Sequence, residues 1–590
     1  MNKFMKKDDK NLEKIRHSLS HIMAAAVLQL YPNVKFGIGP VIENGFYYDF
    51  DFGKEKIDES ILLKLEKVMR DLLNNNLTFK KELVTYAQAK KIFKNQPYKL
   101  QLIEELKRQK KPISIYRTLN GKEEIFVDLC AGPHVNSTKI IKKDAFKLER
   151  LAGAYWRGDE KNPMLLRIYG LAFNTKEELD NYLQMIEEAK KRDHRILGQQ
   201  LDLFSFHEEF GPGLVYWHPK GGLIRVIMEN FWREAHLKNG YDIVFTPHIG
   251  KSDLWKISGH LNFYRENMYS PMKIDEDEYF IKPMNCPFHI QIYKTKIRSY
   301  KDLPFRWAEL GTVYRYEKAG VLHGLLRVRG FTQDDAHLIC TPEQMPSEIK
   351  KVLNFSLYIL KSFGFNNFSI YLSTKPKDAI GNNKKWEEAT KALEKALKSA
   401  KLRYQIDKGG GAFYGPKIDI KVNDALGREW QCSTIQFDFN MPEKFEMKYI
   451  DKNGKPQQPY MIHRALMGSL ERFFGALLEH YAGALPFWLS PTQIKILPVS
   501  DKFLHFAYQL KEKFEENGLR IEIDDSNETI SKRIRNAELE KIPYILVLGQ
   551  KEIDSGQLPI RERSNPEIKL MKIDDFIAIC KQQIPKPQKI

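Results

Sequence analysis

The sequence predicts a multidomain protein of α+β and α/β parts, and three observations carry that expectation. The first is length: 590 residues are enough for about four domains at ~150 residues each. The second is the middle of the chain, 205–489, which is rich in strands, aromatic residues and Gly-Pro turns and holds one long antiparallel hairpin at 306–337. The third is the final hundred residues, where strand and helix patterns alternate as in a small α/β domain with parallel strands. No internal repeat or low-complexity linker interrupts these patterns.

Taken in order, HSLSHIMAAAVLQL (17–30) reads as a helix, and VKFGIGPVIENGFYYDFDFG (34–53) as strand, turn, strand. Residues 55–109 alternate helices with short extended segments, and EEIFVDLCAGPHV (123–135) is a strand running into a Gly-Pro turn. Residues 175–204 read as one long charged helix, a connector between domains. In GGLIRVIMENFWREAHLKNG, Ile224, Ile227, Met228, Phe231 and Ala235 follow helical spacing, a Gly closes the helix, and the strand YDIVFTP follows. MIHRALMGSLERFFGALLEHYAG (461–483) reads as a buried helix, with His463 at its entrance and Arg472 further along. QIKILPVS, KFLHFAYQLKEKFEENG, LRIEIDD, TISKRIRNAELEKI and PYILVLG complete the chain after an SPT boundary at 490–492. The expected division is therefore 1–174, a linker at 175–204, then 205–489 and 490–590.

Composition narrows the function classes. Charged residues are 29% and hydrophobic ones 42%, a soluble globular balance. No apolar run approaches the ~20 residues of a membrane span, and the basic N-terminus lacks the apolar stretch of a secretory signal. Five cysteines in so long a chain make no disulfide framework, so a reducing cytoplasm is expected. The net charge of +18 suits a polyanionic partner such as nucleic acid. A lysine-rich surface that only solvates the fold would carry the same excess, so charge alone leaves both readings open.

Two constellations carry chemistry. In RWAELGTVYRYEKAGVLHGLLRVRGFTQDDAH (306–337), Arg306, Arg315, Arg327 and Arg329 recur around Glu309 and Glu317. On extended arms, Arg315 and Glu317 share a face, as do Arg327, Arg329, Phe331 and Gln333. Guanidinium forks grip phosphate and an aromatic ring stacks on a base, so this face suits a nucleotide. A salt-bridged solvent face fits the same pattern. The other constellation is His17-x3-His21 with Cys130-x3-His134 and Asp128; the two helical histidines share a face, and the bare spacing suits a four-ligand metal site.

Longer motifs make the reading specific. Arg-x-Glu…Phe on a hairpin, followed downstream by a helix carrying Arg472, resembles motifs 2 and 3 of class II aminoacyl-tRNA synthetases, and the helix at 221–239 with its strand to Pro247 resembles motif 1, the dimer element. IKPMNCP (281–287), RVRGFTQDDAH (327–337), GAFYGPKIDI (411–420), WQCSTIQFDF (430–439) and MIHRALMGSLERF (461–473) together resemble the threonyl-tRNA synthetase family, over about 11–580. The resemblance implies an antiparallel-sheet class II catalytic core, an α+β N-terminal editing domain and a C-terminal α/β anticodon-binding domain. It also implies tRNA(Thr), ATP and L-threonine as partners, a homodimer, and no membrane.

By that resemblance, Cys286, His337 and His463 hold one Zn²⁺ per subunit, with a coordination position open for threonine. Valine lacks the hydroxyl and is rejected. Gln333, Asp335, Tyr414 and Gln431 contact threonine. Arg315, Glu317, Arg327, Phe331 and Arg472 bind ATP with its Mg²⁺, with Arg315, Arg327 and Arg472 neutralising charge on the phosphates. His260 is the expected base near the tRNA ribose. Serine is smaller than threonine and also carries a hydroxyl, so a second sieve is required. His17, His21, Asp128, Cys130 and His134 would form it without a metal, Cys130 positioning rather than attacking. Asn527, Glu552 and Arg561 fall at base-reading positions, and SKRIRNAE (531–538) supplies phosphate-facing charge.

The chain departs from the family pattern twice. The extra small N-terminal domain common in the family is expected to be missing, and in NCPFH, Phe288 stands where Gly is expected. Two rival readings remain: a synthetase for another amino acid, which the zinc positions oppose, and an inactive RNA-binding paralogue, which the intact arginines oppose.

Overall fold

The computed structural model describes residues 10–377, 379, 382–412, 414–424 and 426–590. The chain divides into two compact units, Met1–Glu187 and Glu188–Ile590.

In the first unit the helix Lys10–Leu30 buries Ile15, Leu19, Ile22, Met23 and Val27, spaced to lie along one stripe. It packs on the strand Gly45–Asp51 and on the helix Ile61–Asn74. Gly45–Asp51 pairs antiparallel with Met164–Ala172, which pairs with Phe146–Tyr155. A second sheet orders Thr78–Val84, Ile113–Asn120 and Glu123–Leu129. The expected continuous helix at 175–204 is two, Lys176–Lys191 and His194–Gln200. The break is at Asp193, whose backbone leaves the helical region (φ −54°, ψ 121°) and whose side chain accepts from the amide of Arg195 as an N-cap.

The second unit is built on an eight-stranded sheet in the order Asp242–Ile243, Phe305–Tyr314, Gly330–Cys340, Tyr460–Ser469, Glu429–Asp438, Lys417–Asn423, Phe368–Ser373, Gln405–Asp407. Its interior pairings are antiparallel, and the two edge strands pair parallel to their neighbours. Helices Pro219–Lys238, Met345–Ser362, Asn383–Ser399 and Leu470–Tyr481 contribute to the core on this sheet.

Two expectations fail here. Residues 461–469 are a strand, not the start of a helix; the helix begins at Leu470, where the Ser469 side chain accepts from the amide of Arg472. An almost unbroken apolar run does not distinguish a buried strand from a buried helix, and His463 lies mid-strand. On the hairpin, the strands are Phe305–Tyr314 and Gly330–Cys340, so Arg315, Glu317, Arg327 and Arg329 sit beyond the paired strands and alternation does not govern them. The loop itself gathers them.

Pairing between Gly330–Cys340 and Tyr460–Ser469 is interrupted by a bulge: Gln333 faces Ser469 while Asp335 faces Ala465. The amides of Leu466 and Met467, turned out of the ladder, donate instead to the Asp334 carboxylate at 3.3 and 2.8 Å. Arg464 donates to the same carboxylate at 2.8 Å, and both side chains are fully buried. Gly468 closes the bulge at φ +82°, a left-handed conformation that disfavours any side chain.

In the C-terminal part, Ile521–Ile523, Ile494–Pro498 and Tyr544–Leu548 pair in parallel, as the alternation predicts. Gln557–Glu562 and Ile568–Lys572 extend this sheet antiparallel.

Replacing Asp334 by Ala strands a buried guanidinium and two bulge amides. Asp334→Ala should destabilise the second unit by about 3–5 kcal/mol, read as a drop in its urea midpoint; a change under about 1 kcal/mol would contradict a structural role for this pair.

Candidate active sites

The sheet register assembles the first site. His337 and His463 are direct cross-strand partners although far apart in sequence, so their side chains meet on one face. Cys286 opens the helix Cys286–Lys294 and completes a buried trio whose candidate ligand atoms all lie within 4.8 Å of one another. The hydrogen bonds fix the tautomers. Asp438 lies 2.9 Å from His463 Nε2, so that nitrogen carries hydrogen. Glu309 lies 3.0 Å from His289 Nε2, leaving His289 Nδ1 to accept from His337 Nδ1 at 2.8 Å. The remaining nitrogens, His337 Nε2 and His463 Nδ1, face each other at 3.0 Å with a lone pair each. Two opposed lone pairs beside a thiol are the donor set of a cation, held by outer partners that orient the rings. Burial, with His289 and His463 alongside, holds His337 well below the ordinary imidazole range, hence neutral. Burial beside Asp335 and Asp438 pushes the Cys286 thiol upward, a direction that a bound cation would oppose.

Asp335 lies two residues before His337 on the same strand and accepts from Asn285 Nδ2 at 3.1 Å. Tyr414, its ring 5.8 Å from that of His463, donates to Gln436 Oε1 at 2.8 Å, and Gln436 sits opposite His463 in the sheet. Gln431 lies further along that strand, mostly exposed, with its amide on Asp419 Oδ1 at 2.8 Å, and no contact joins it to the trio. Gln436, Asp438, His289 and Glu309 escaped the sequence reading. The two-residue spacing of Gln436 and Asp438 in WQCSTIQFDF was the available signal, since both share a face.

Beside this trio the loop that joins the two hairpin strands gathers arginines. Arg315 stacks over Phe331 at 5.0 Å and over Tyr264 at 5.7 Å. Arg327 is held by Glu317 Oε2 at 2.8 Å. Arg472 donates to the Leu326 carbonyl at 3.2 Å, and burial, with Arg315 and Arg327 nearby, lowers its affinity for the proton. Three guanidiniums with one carboxylate among them favour a polyanion. His260 is buried between Ser258 Oγ at 2.7 Å and Met284 Sδ at 3.0 Å; burial, then Lys444 and Arg315, bring it down to about 4, so the ring is neutral at physiological pH. Phe288 packs with Trp255, Met268 and Phe280, and its ring occupies the space a side chain on Gly250 would take.

Residues 113–169 match the family described as the threonyl and alanyl tRNA synthetase second additional domain, 269–481 match the tRNA synthetase class II core domain (G, H, P, S and T), and 493–583 match an anticodon binding domain. The threonine--tRNA ligase of Borreliella burgdorferi (strain ZS7) is 55% identical over 577 residues, 98% of each chain. The chain belongs to the threonine--tRNA ligase family. A ligase of the same name from Sulfurihydrogenibium sp. (strain YO3AOP1) is 53% identical over 99% of this chain and 90% of its own. Among solved structures, the RNA binding domain of threonyl-tRNA synthetase from Cryptosporidium parvum Iowa II matches with a TM-score of 0.64 at 40% identity, over 67% of this chain and 99% of that one. The putative threonyl-tRNA synthetase ThrRS-1 from Aeropyrum pernix gives 0.59 at 31%, over 66% and 95%.

The second site of this family member lies in the first unit. Cys130 Sγ is 3.4 Å from Nε2 of both His17 and His134. His17 Nδ1 donates to the Pro133 carbonyl, and His134 Nδ1 is bound to Ser18 Oγ. The hydroxyl of Ser18 already donates to the Lys14 carbonyl, so His134 Nδ1 is the donor and Nε2 is bare. Burial and Asp128 push the Cys130 thiol up to about 12, so it is a thiol and not a ready nucleophile. Asp128 is engaged by Tyr48 Oη at 2.6 Å and by Lys99 Nζ at 2.5 Å, and His21 Nε2 stands 3.6 Å away. Tyr48, Lys99 and Ser18 are additions of the structure; a lysine 2% exposed leaves no trace in a sequence with so many.

In the C-terminal part, Asn527 and Glu552 follow the carboxyl ends of two parallel strands, the edge where open α/β sheets bind ligands. Glu552 caps its own helix through the amide of Gly549, and Arg561 sits on Gln557–Glu562 opposite Ile545.

Burial, with His17 and Lys99 adding positive charge, holds His21 well below the ordinary range. The unfolded chain therefore binds a proton below about pH 6.5 that the folded chain does not. The stability present above pH 6.5 should fall on acidification, by about 1.4 kcal/mol from this residue at pH 5.5. Hydrogen exchange of the Lys10–Leu30 amides, corrected for intrinsic rates, should show this loss between pH 7.5 and 5.5; equal protection at both would count against it.

Proposed function

We propose that this chain is a threonine--tRNA ligase that joins L-threonine to ATP as threonyl-adenylate, transfers the threonyl group to tRNA(Thr), and hydrolyses seryl-tRNA(Thr) in its N-terminal site. The observation that carries the reading is the Cys286, His337, His463 trio with Asp335 and the Tyr414–Gln436 pair on one side and three arginines on the other. The fitting cation is Zn²⁺; when bound it supplies Lewis acidity for the amino group and hydroxyl of threonine, a donor pair valine cannot offer. Asp335 accepts from the hydroxyl, and Gln333, Tyr414 and Gln436 orient the amino acid. Arg315 and Arg327 offset negative charge as the threonine carboxylate attacks the α-phosphate and the α–β phosphoanhydride bond breaks to release pyrophosphate; Phe331 stacks on adenine, Glu317 steadies Arg327, and Arg472 holds the far phosphate. Mg²⁺ accompanies ATP. His260, neutral at physiological pH, is the base we assign to the ribose hydroxyl. Asn527, Glu552 and Arg561 read anticodon bases.

The four-part division at 174, 204 and 489 goes with this reading, as does a homodimer. On Pro219–Lys238 the exposed Leu223, Val226 and Leu237 share one helix face with Asn230 and Glu234, and these three apolar side chains support a second copy as their cover. Five free thiols suit a cytoplasmic location.

ATP–pyrophosphate exchange should depend on threonine and not on valine, and Cys286→Ala should lose both zinc and exchange. Absence of exchange with every amino acid would sink the ligase reading. Separately, His17→Ala combined with His21→Ala should preserve threonylation while seryl-tRNA accumulates; undiminished seryl-tRNA hydrolysis would remove the editing assignment.

A further inference from the structure

His194 follows the Asp193 break and is completely buried, yet the chemistry assigned above does not use it. Its Nδ1 is 2.7 Å from Glu479 Oε1 on the Leu470–Tyr481 helix, and its Nε2 lies 3.0 Å from the amide nitrogen of Leu325. An amide can only donate, so Nε2 accepts and Nδ1 carries the hydrogen given to Glu479. This tautomer leaves no lone pair for a metal, although Asp193, His194 and Glu479 cluster closely enough to hold one. The ring is instead a two-ended connector.

Both ends lead to the nucleotide-gripping arginines. The next carbonyl, Leu326, accepts from Arg472, and Arg327 follows. Glu479 stands on the helix that carries Arg472, and its other oxygen pairs with Arg428 at 2.6 Å. The loop lies tight on the ring: Gly324 adopts φ +46°, and a Cβ there would overlap His194 Nε2. On the facing helix, a Cβ on Gly475 would meet Leu326 and Leu325 at 3.2 and 3.3 Å.

We propose that His194 is a positioning residue for ATP: by joining the Leu325 amide to Glu479 it locks the 324–327 loop onto the helix of Arg472 and sets the spacing of Arg327 and Arg472. This deepens the ligase reading and rests on it. The residues assigned to threonine are not among the partners of the ring, which are Glu479 and Leu325, so the effect is confined to the nucleotide.

The test is threonine-dependent ATP–pyrophosphate exchange by the full chain. His194→Ala should raise the KM for ATP about ten-fold, a loss of about 1.4 kcal/mol, and leave the KM for threonine and the zinc content unchanged. His194→Gln, which keeps one donor and one acceptor, should recover part of the loss. In an Arg472→Ala background, His194→Ala should have little further effect, because the two act through one contact. An unchanged ATP KM, an equal rise in both KM values, or full additivity with Arg472→Ala would overturn the proposal. Should His194→Ala not fold, Gly324→Ala attacks the same contact from the loop and carries the same expectations. Absence of exchange by the unaltered chain would instead refute the ligase reading.

Discussion

The ion pair of Asp334 and Arg464 is the interaction around which the catalytic sheet is organised. Neither side chain reaches water, and Arg464 Nε and Nη2 have no hydrogen-bond partner among the described residues, so the pair leans on what fills the rest of the carboxylate. Here the second acceptor atom is filled by amides that the bulge has released from the ladder. The pair and the bulge are thus one device. Ahead of it His337 and His463 stay in register; beyond it the chain turns through Gly468 and enters the helix that delivers Arg472.

Electrostatics divides the assigned sites. Burial holds His337 in the second unit, and His17, His21 and His134 in the first, below the ordinary imidazole range, which preserves lone pairs. The arginine group is the opposite: burial first, and then the charge of Arg315 and Arg327, holds Arg472 below the usual guanidinium range, surroundings that favour a polyanion. One neutral, donor-rich face and one cationic face on adjoining strand and helix suit a reaction whose two substrates differ in the same way.

Much of this was legible in the sequence. The arginine loop, the paired histidine and cysteine motifs and the C-terminal alternation all announced themselves by residue type and spacing. The trio of Cys286, His337 and His463 did not, because its two histidines are brought together by register, a property of pairs of strands rather than of either one, and its cysteine comes from a separate helix. The misread helix at 461–469 has a related cause: with both faces of a central strand covered, the alternation that betrays a strand disappears. Lys99, Tyr48 and His289 were invisible for a third reason. They act on residues remote in the chain, and nothing local distinguishes them from their neighbours.

The segment from His463 to Arg472 passes from strand to helix at Ser469, which caps the helix with its own side chain. No loop intervenes. It is a ruler of fixed length laid between the residues proposed for the amino acid and those proposed for the nucleotide. A single inserted or deleted residue would turn His463 to the opposite side of the sheet or rotate Arg472 away by about 100°. Evolution can therefore retune either pocket by exchanging side chains, but it cannot alter their separation by lengthening or shortening this connection.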